Sequence, residues 1–238
     1  MGKKLRFQDL ILFEDDHYLV INKPAGFASL DDRHEDPSVL DLARGYHPDA
    51  QLGHRLDKET SGCLAIAKHP DAYRELSIQF EDRIVTKVYH AITNGVHDFK
   101  GEEVNLPIHA SARGGVRIDQ VEGKEAQTFI TTLEAYQQHT LVECVPITGR
   151  MHQIRIHLAT LKAPIVTDPA YGGKPLMLSE IKRNYNLKRD TDEQPIIRRV
   201  ALHARAISFH TMTEEEITVV ADYPKDFSVA LKQLGKYR

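Results

Sequence analysis

The sequence predicts an α+β fold: a mixed, mainly antiparallel sheet flanked by helices and loops. Strand-like runs outnumber helical ones along the 238 residues. They do not alternate regularly with helices, as the strands of a doubly wound sheet would. Several are rich in β-branched residues, and one ends at the turn pair Asn94-Gly95.

Residues 10–13 and 18–21 are short apolar runs joined by Glu14-Asp15-Asp16-His17, the pattern of a β-hairpin. Asn22-Lys23-Pro24-Ala25-Gly26 breaks the second strand with a Pro/Gly turn. Asp36-Pro37-Ser38 opens a short helix, with Asp36 as N-cap and Pro37 in the first turn; Gly45 and Pro48 close it. A charged loop follows, then a strand over 63–67. Residues 71–83 read as an amphipathic helix, with Ala72, Leu76, Gln79 and Phe80 on neighbouring turns. Strands are predicted over 84–92, 126–133, 140–145, 200–209 and 216–221, and helices over 151–161 and 227–234. The polar, weakly periodic stretch 174–198 reads as an insertion or loop within a single domain spanning 1–238.

Composition excludes several classes of protein. No apolar run approaches membrane-spanning length, and the charged opening Lys3-Lys4-Leu5-Arg6 has no signal-peptide core behind it. Cys63 and Cys144 both sit in apolar runs as small hydrophobes, which favours a cytoplasmic setting over a disulfide. The net charge of −3 argues against an indiscriminate nucleic-acid coat. Basic clusters (Lys182-Arg183, Lys188-Arg189, Arg198-Arg199) and acidic ones (Asp31-Asp32, Glu214-Glu215-Glu216) are nonetheless segregated, as in a protein that holds a polyanion on one face. A solvated surface explains the same clusters. Monomer is the default expectation.

Four stretches carry chemistry. His54-Arg55-Leu56-Asp57-Lys58-Glu59-Thr60-Ser61-Gly62 sets one carboxylate between cations, just before an apolar strand. That suits a loop presenting Asp57 at the mouth of a cleft. Lys87 and Tyr89 share a strand face, a cation beside an aromatic platform for a nucleobase. Thr148-Gly149-Arg150-Met151-His152-Gln153-Ile154-Arg155-Ile156-His157 opens a helix. Arg150 stands at its start, where free N–H groups favour anions, and Arg155 is able to reach a carboxylate such as Asp57 and keep it ionised. His152 and His157 lack the HExxH spacing of a zinc site, so no metal is expected. Leu202-His203-Ala204 lies on a late strand, with Leu202 suited to an apolar pocket wall.

In this order the motifs HRLD-xx-TSG, K-x-Y-x-A, TGR-x-HQIR-x-H and LHA resemble the RNA pseudouridine synthases of the RluA type. The resemblance runs from Asn22 through Ala204. It implies an antiparallel mixed sheet with a central RNA-binding cleft, and conversion of uridine to pseudouridine in ribosomal or transfer RNA without a cofactor. It also implies roles. Asp57 matches the catalytic aspartate, Tyr89 the tyrosine contacting the target base, and Arg155 the cation paired with the aspartate. Leu202 matches the pocket residue, and Arg55 the side chain that fills the space left by a flipped base. His54, Arg150 and His152 complete the expected RNA-contacting set. Met151, Thr167-Asp168 and Ser29-Leu30 depart from the usual pattern and touch substrate detail rather than the catalytic groups. The KPxG turn comes too early to follow an RNA-binding S4 domain, so a bare catalytic domain is expected.

The isomerisation breaks the C1′–N1 bond, turns the uracil and joins C1′ to C5. A carboxylate at C1′ or C2′ and a pocket for the detached base suffice. Two rival readings differ in kind. One is a catalytically silent RNA-binding module. The other is a hydrolase using Ser61 with His54 and Asp57, although Thr60-Ser61-Gly62 is not a GxSxG elbow.

Overall fold

The computed structural model describes residues 6–30, 37–111, 114–183, 185–186 and 192–237. Lys3, Lys4, Asp31, Asp32, Lys188, Arg189 and Arg238 of the charged clusters, Asp36 of the first helix and part of the 174–198 stretch lie outside them. The chain divides into two compact units, 1–88 with 203–222 and 89–202 with 223–238.

In the first unit, β1 (Ile11–Glu14) and β2 (Tyr18–Lys23) form the expected antiparallel hairpin. Asp15 closes its turn by accepting the backbone N–H groups of His17 and Tyr18. β2 pairs antiparallel with β4 (Ser61–Ala67), in which every residue is buried. A strand covered on both faces reads as a continuous apolar run, as this one does. β4 also pairs with the short β3 (Gln51–Leu52), and its first two residues pair in parallel with β11 (Leu202–His210) at His203 and Ala204. β12 (Glu216–Val220) runs antiparallel to β11. Tyr18, Val20, Leu76, Ile207 and Phe209 anchor the core of this unit.

Two helices flank these strands. α1 (Val39–Tyr46) is capped by Ser38, not Asp36: the Ser38 hydroxyl accepts the Asp41 N–H, and the Asp41 carboxylate reaches back to the Ser38 N–H. This reciprocal box satisfies two free donors and outcompetes an N-cap two residues earlier. Gly45, expected to end the helix, lies inside it. α2 (Pro70–Glu81) starts at His69, whose Nδ1 accepts the Ala72 N–H, and buries Ala72, Leu76 and Gln79.

In the second unit, part of β5 (Thr86–Asn94), β10 (His139–Pro146), β9 (Gln127–Ala135) and β6 (Lys100–Asn105) pair antiparallel in that order. A small hairpin, β7 (Ile108–Ala110) with β8 (Val116–Ile118), packs through Ile108, Val116 and Ile118 on Ile156. Ile156 belongs to α3 (Gln153–Thr160). α5 (Lys225–Lys236) lays Phe227, Ala230 and Leu234 on a core shared with Ile92, Val142, Ile154 and Leu158. The described part of 174–198 contains one short helix, α4 (Leu178–Ile181), with Ile181 buried.

Candidate functional site

Asp57 sits in the irregular segment between β3 and β4, and that segment is held on both sides by the turn after β2. The Lys23 ammonium is fully buried and donates to the carbonyls of Pro24, Phe27 and Lys58 at 3.2, 2.8 and 3.2 Å. The Lys58 carbonyl also accepts the Gly26 N–H at 2.8 Å, and Gly26 has φ +90°, a conformation that costs glycine nothing. Ser29 grips the other side: its hydroxyl donates to the Leu56 carbonyl at 2.7 Å and accepts the Leu56 N–H at 3.0 Å. The residues before and after Asp57 are therefore fixed through their main chains. A turn from the Asp57 carbonyl to the Thr60 N–H, 3.0 Å, then leads into β4. Sequence reasoning took Lys23 for part of a turn and Ser29 for a departure; both are supports of the loop.

His54 anchors the start of the segment. Its Nε2 accepts the Ala65 N–H at 3.1 Å, so in the neutral ring the proton sits on Nδ1. Its ring lies 4.9 Å from that of Phe80. Burial, reinforced by the Lys87 ammonium, holds its pKa down to about 3. Lys87 lies over the Phe80 ring at 5.9 Å, and burial lowers its own pKa to about 8. Arg55 is exposed. Ser61 is fully buried and hydrogen-bonds Nδ1 of His203 at 2.9 Å, while His203 Nε2–H donates to the Ala221 carbonyl. The hydrolase reading fails on this geometry: Ser61 is buried on the His203 ring, and the Nε2 lone pair of His54 is spent on backbone.

Leu202 is buried in the core of the second unit, and its carbonyl accepts from Arg199. Arg199 also holds Asp226 through Nε at 2.7 Å, tying the start of α5 to the chain before β11. Tyr89 pairs with Cys144 across β5 and β10 and packs against the same core, half-buried. Arg155, on α3, makes a bidentate pair with Asp168: Nε to Oδ2 at 2.7 Å and Nη2 to Oδ1 at 2.8 Å, with Asp168 fully buried. Its guanidinium lies 5.1 Å from the Tyr171 ring, and His152 Nδ1 meets the Tyr171 hydroxyl at 2.9 Å. Tyr171 thus brings His152 and Arg155 together. Asp168 and Tyr171 were missed as partners; the signals were the departure at Thr167-Asp168 and the turn residues Pro169 and Gly172-Gly173 that follow it.

α3 begins later than the sequence implied. His152 adopts the left-handed conformation, φ 55°, so the helix starts at Gln153. Arg150 stands in the turn ahead of it, its N–H donated to Gln153 Oε1 and its Nε–H to the Glu125 carbonyl. Gln153 is a buried hub that also meets Thr148, Gln127 and Thr128. Both ring nitrogens of His157 are engaged, by Thr128 and the Leu106 carbonyl, as in a satisfied core histidine. Among the described residues His109, Asp119 and Glu122 place three ligand atoms within 4.8 Å of one another. Arg117 bridges both acids there, and Asp119 takes the backbone N–H groups of Glu122 and Val121, which with Arg117 lower its pKa to about 2. An arginine already supplies the positive charge of that cluster. No described helix is long and apolar enough to cross a membrane.

The site residues thus fall in both units: His54, Arg55 and Asp57 in the first, Tyr89, Arg150, His152, Arg155 and Leu202 in the second. The family model described as RNA pseudouridylate synthase matches residues 17–160. The ribosomal large subunit pseudouridine synthase C of Escherichia coli K12 is 35% identical over 245 residues, covering 100% of this chain and 74% of that protein. Its counterpart in Buchnera aphidicola is 34% identical, covering 96% and 71%. Among solved structures, human RNA pseudouridylate synthase domain containing 4 aligns at TM-score 0.72 and 29% identity, over 96% of this chain and 95% of that one. Motifs, the family match and similarity along the whole chain converge on one lineage: the chain belongs to the RNA pseudouridylate synthases of the RluA type, which isomerise uridine in RNA.

Proposed function

We propose that this enzyme converts one or more uridines of structured RNA to pseudouridine with Asp57 as its catalytic carboxylate, acting on a base flipped out of its helix. The substrate we favour is large-subunit ribosomal RNA, because the full-length relatives carry that designation; a transfer RNA stem-loop is the second choice. The observation that carries the reading is the immobilised loop of Asp57, clamped at Leu56 and Lys58 by main-chain contacts. A carboxylate that must act at C1′ or C2′ of a ribose needs such a fixed position. In this reading Arg155 serves Asp57 as counter-ion, Asp168 and Tyr171 set the plane of its guanidinium, and Tyr89 and Leu202 form the walls that retain the detached uracil. Arg55 takes the vacated place in the helix, offsetting a flipping cost of a few kcal/mol. Arg150, His152 and His54 line the approach of the RNA. No cofactor takes part in this scheme, and the working setting is a monomer in the cytoplasm.

The test is Asp57→Asn with [5-³H]uridine-labelled ribosomal RNA. Tritium release is expected to vanish while RNA binding persists. Wild-type release from the variant refutes the assignment.

A further inference from the structure

The first unit contains a concavity of about 320 Å³, bounded by α1, β3, α2 and the start of the Asp57 loop. We propose that it seats an unpaired nucleotide of the substrate RNA next to the one that reacts. This rests on the RNA-modifying function and names a specificity subsite for it.

The lining has the chemistry of a base and a phosphate. Leu40 and Leu52 supply apolar wall, Tyr73 an aromatic ring, Gln51 an amide, and Arg44 and Arg55 two guanidiniums; among the described residues no carboxylate lines it. Tyr73 is 37% exposed on α2 although it is a large ring. Among the described residues it has no ring partner and its hydroxyl no hydrogen bond. Arg44 spends only Nε–H, on the Ala50 carbonyl at 3.3 Å. Asp41, the acid one turn before it, is committed to Ser38. The volume falls within the range of small-ligand pockets, about 300–1,000 Å³. Bases stack on aromatic rings regardless of sequence, and guanidiniums pair with phosphate. An acidic peptide would satisfy the two arginines but would not need the exposed ring and the amide between apolar walls.

The concavity is also built in advance. α1 is locked by its capping box, and β3 is hydrogen-bonded to β4. The chain between β3 and His54 lies so close to α2 that a Cβ on Gly53 would fall 2.4 Å from Leu76 Cδ2. Preformed walls spare the ligand the cost of ordering them. Arg55 belongs to this lining and stands two residues before Asp57, at most about 7 Å of extended chain. A strand delivering its ribose to Asp57 therefore has a neighbouring nucleotide within reach of Arg55 and, beyond it, Arg44 and Tyr73.

The test uses the full-length protein and large-subunit ribosomal RNA transcribed with 4-thiouridine. Irradiation should cross-link the RNA to residues 70–81, in the wild type and in Asp57→Asn alike. Tyr73→Ala should weaken RNA binding about tenfold, a typical loss for one stacked base. Tyr73→Phe should bind as the wild type. Arg44→Gln should lower the salt slope of log K by about 0.7, one single-strand phosphate contact. Wild-type affinity in folded Tyr73→Ala, with no cross-link at 70–81, overturns the proposal even if pseudouridine is made. Cross-linking and weakened binding without pseudouridine formation would support the subsite and reject the catalytic reading instead.

Discussion

The buried ammonium of Lys23 lies 3.2 Å from the carbonyl oxygen of Lys58, the residue that follows Asp57. Three carbonyls, those of Pro24, Phe27 and Lys58, accept from this one ammonium. The ammonium acts here as a knot between the β2 turn and the loop. Charged donors to carbonyls contribute about 1.5–3 kcal/mol each, and the acceptors left behind are costly. Lys23→Met should therefore lose about 2–4 kcal/mol in urea unfolding and lower turnover below what the remaining folded fraction explains. A loss under about 0.5 kcal/mol would show that the knot is dispensable.

Asp168 has no exposed surface, and it takes both forks of the Arg155 guanidinium. Removing one member of a buried pair costs about 3–5 kcal/mol because the other charge stays behind unpaired. Asp168→Ala should show that loss, and adding Arg155→Met should recover part of it. A double-mutant cycle returning no coupling would separate the two residues energetically.

Two glycines should respond in opposite directions. At Gly62 φ is +115°, and a Cβ would fall 2.1 Å from the Ala204 carbonyl oxygen. Gly62→Ala should cost more than about 3 kcal/mol, combining left-handed strain with a backbone clash. Gly45 lies inside α1 with nothing within 4 Å of its Cβ position. Gly45→Ala should stabilise by about 0.4–1 kcal/mol. Thermal unfolding of the pair gives both signs in one experiment.

Acid should destabilise the fold well before carboxylates are lost. His54 is held down to about 3, and burial also lowers His139 and His157. In the unfolded chain each titrates near 6.5, so below that pH the unfolded state binds more protons. Their contribution is complete above about pH 6.5 and is lost as pH falls towards the folded values. Each adds a slope of up to about 1.4 kcal/mol per pH unit. Urea midpoints at pH 7.5, 6 and 5 should fall accordingly. His54→Gln, which retains an acceptor for the Ala65 N–H, should flatten the slope by about one histidine. An unchanged slope would mean that His54 is charged in the fold.

Local periodicity made much of this legible. The hairpin of β1 and β2, helix α2 and strands β9 and β10 stand where alternation and turn residues put them. β6 was missed because only Val104 of Lys-Gly-Glu-Glu-Val-Asn is buried, which leaves no alternating pattern to read. The parallel contact of β4 with β11 joins residues 142 apart, as in the pair Ser61–His203, and no local signal encodes it. At the proposed site, the motifs single out Asp57, Tyr89 and Arg155, the residues to which roles are proposed. What they could not announce was their support. Lys23 works through carbonyls, Asp168 from a distant turn, and Ser29 through a hydroxyl.

The hydrogen bonds that Lys23, Gly26 and Ser29 make with residues 56 and 58 end on main-chain atoms. These contacts hold whichever side chain stands at 58. That position is an interchangeable letter: a designer, or a gene duplicate, can rewrite it to address a different hairpin while the backbone beside the carboxylate keeps its place.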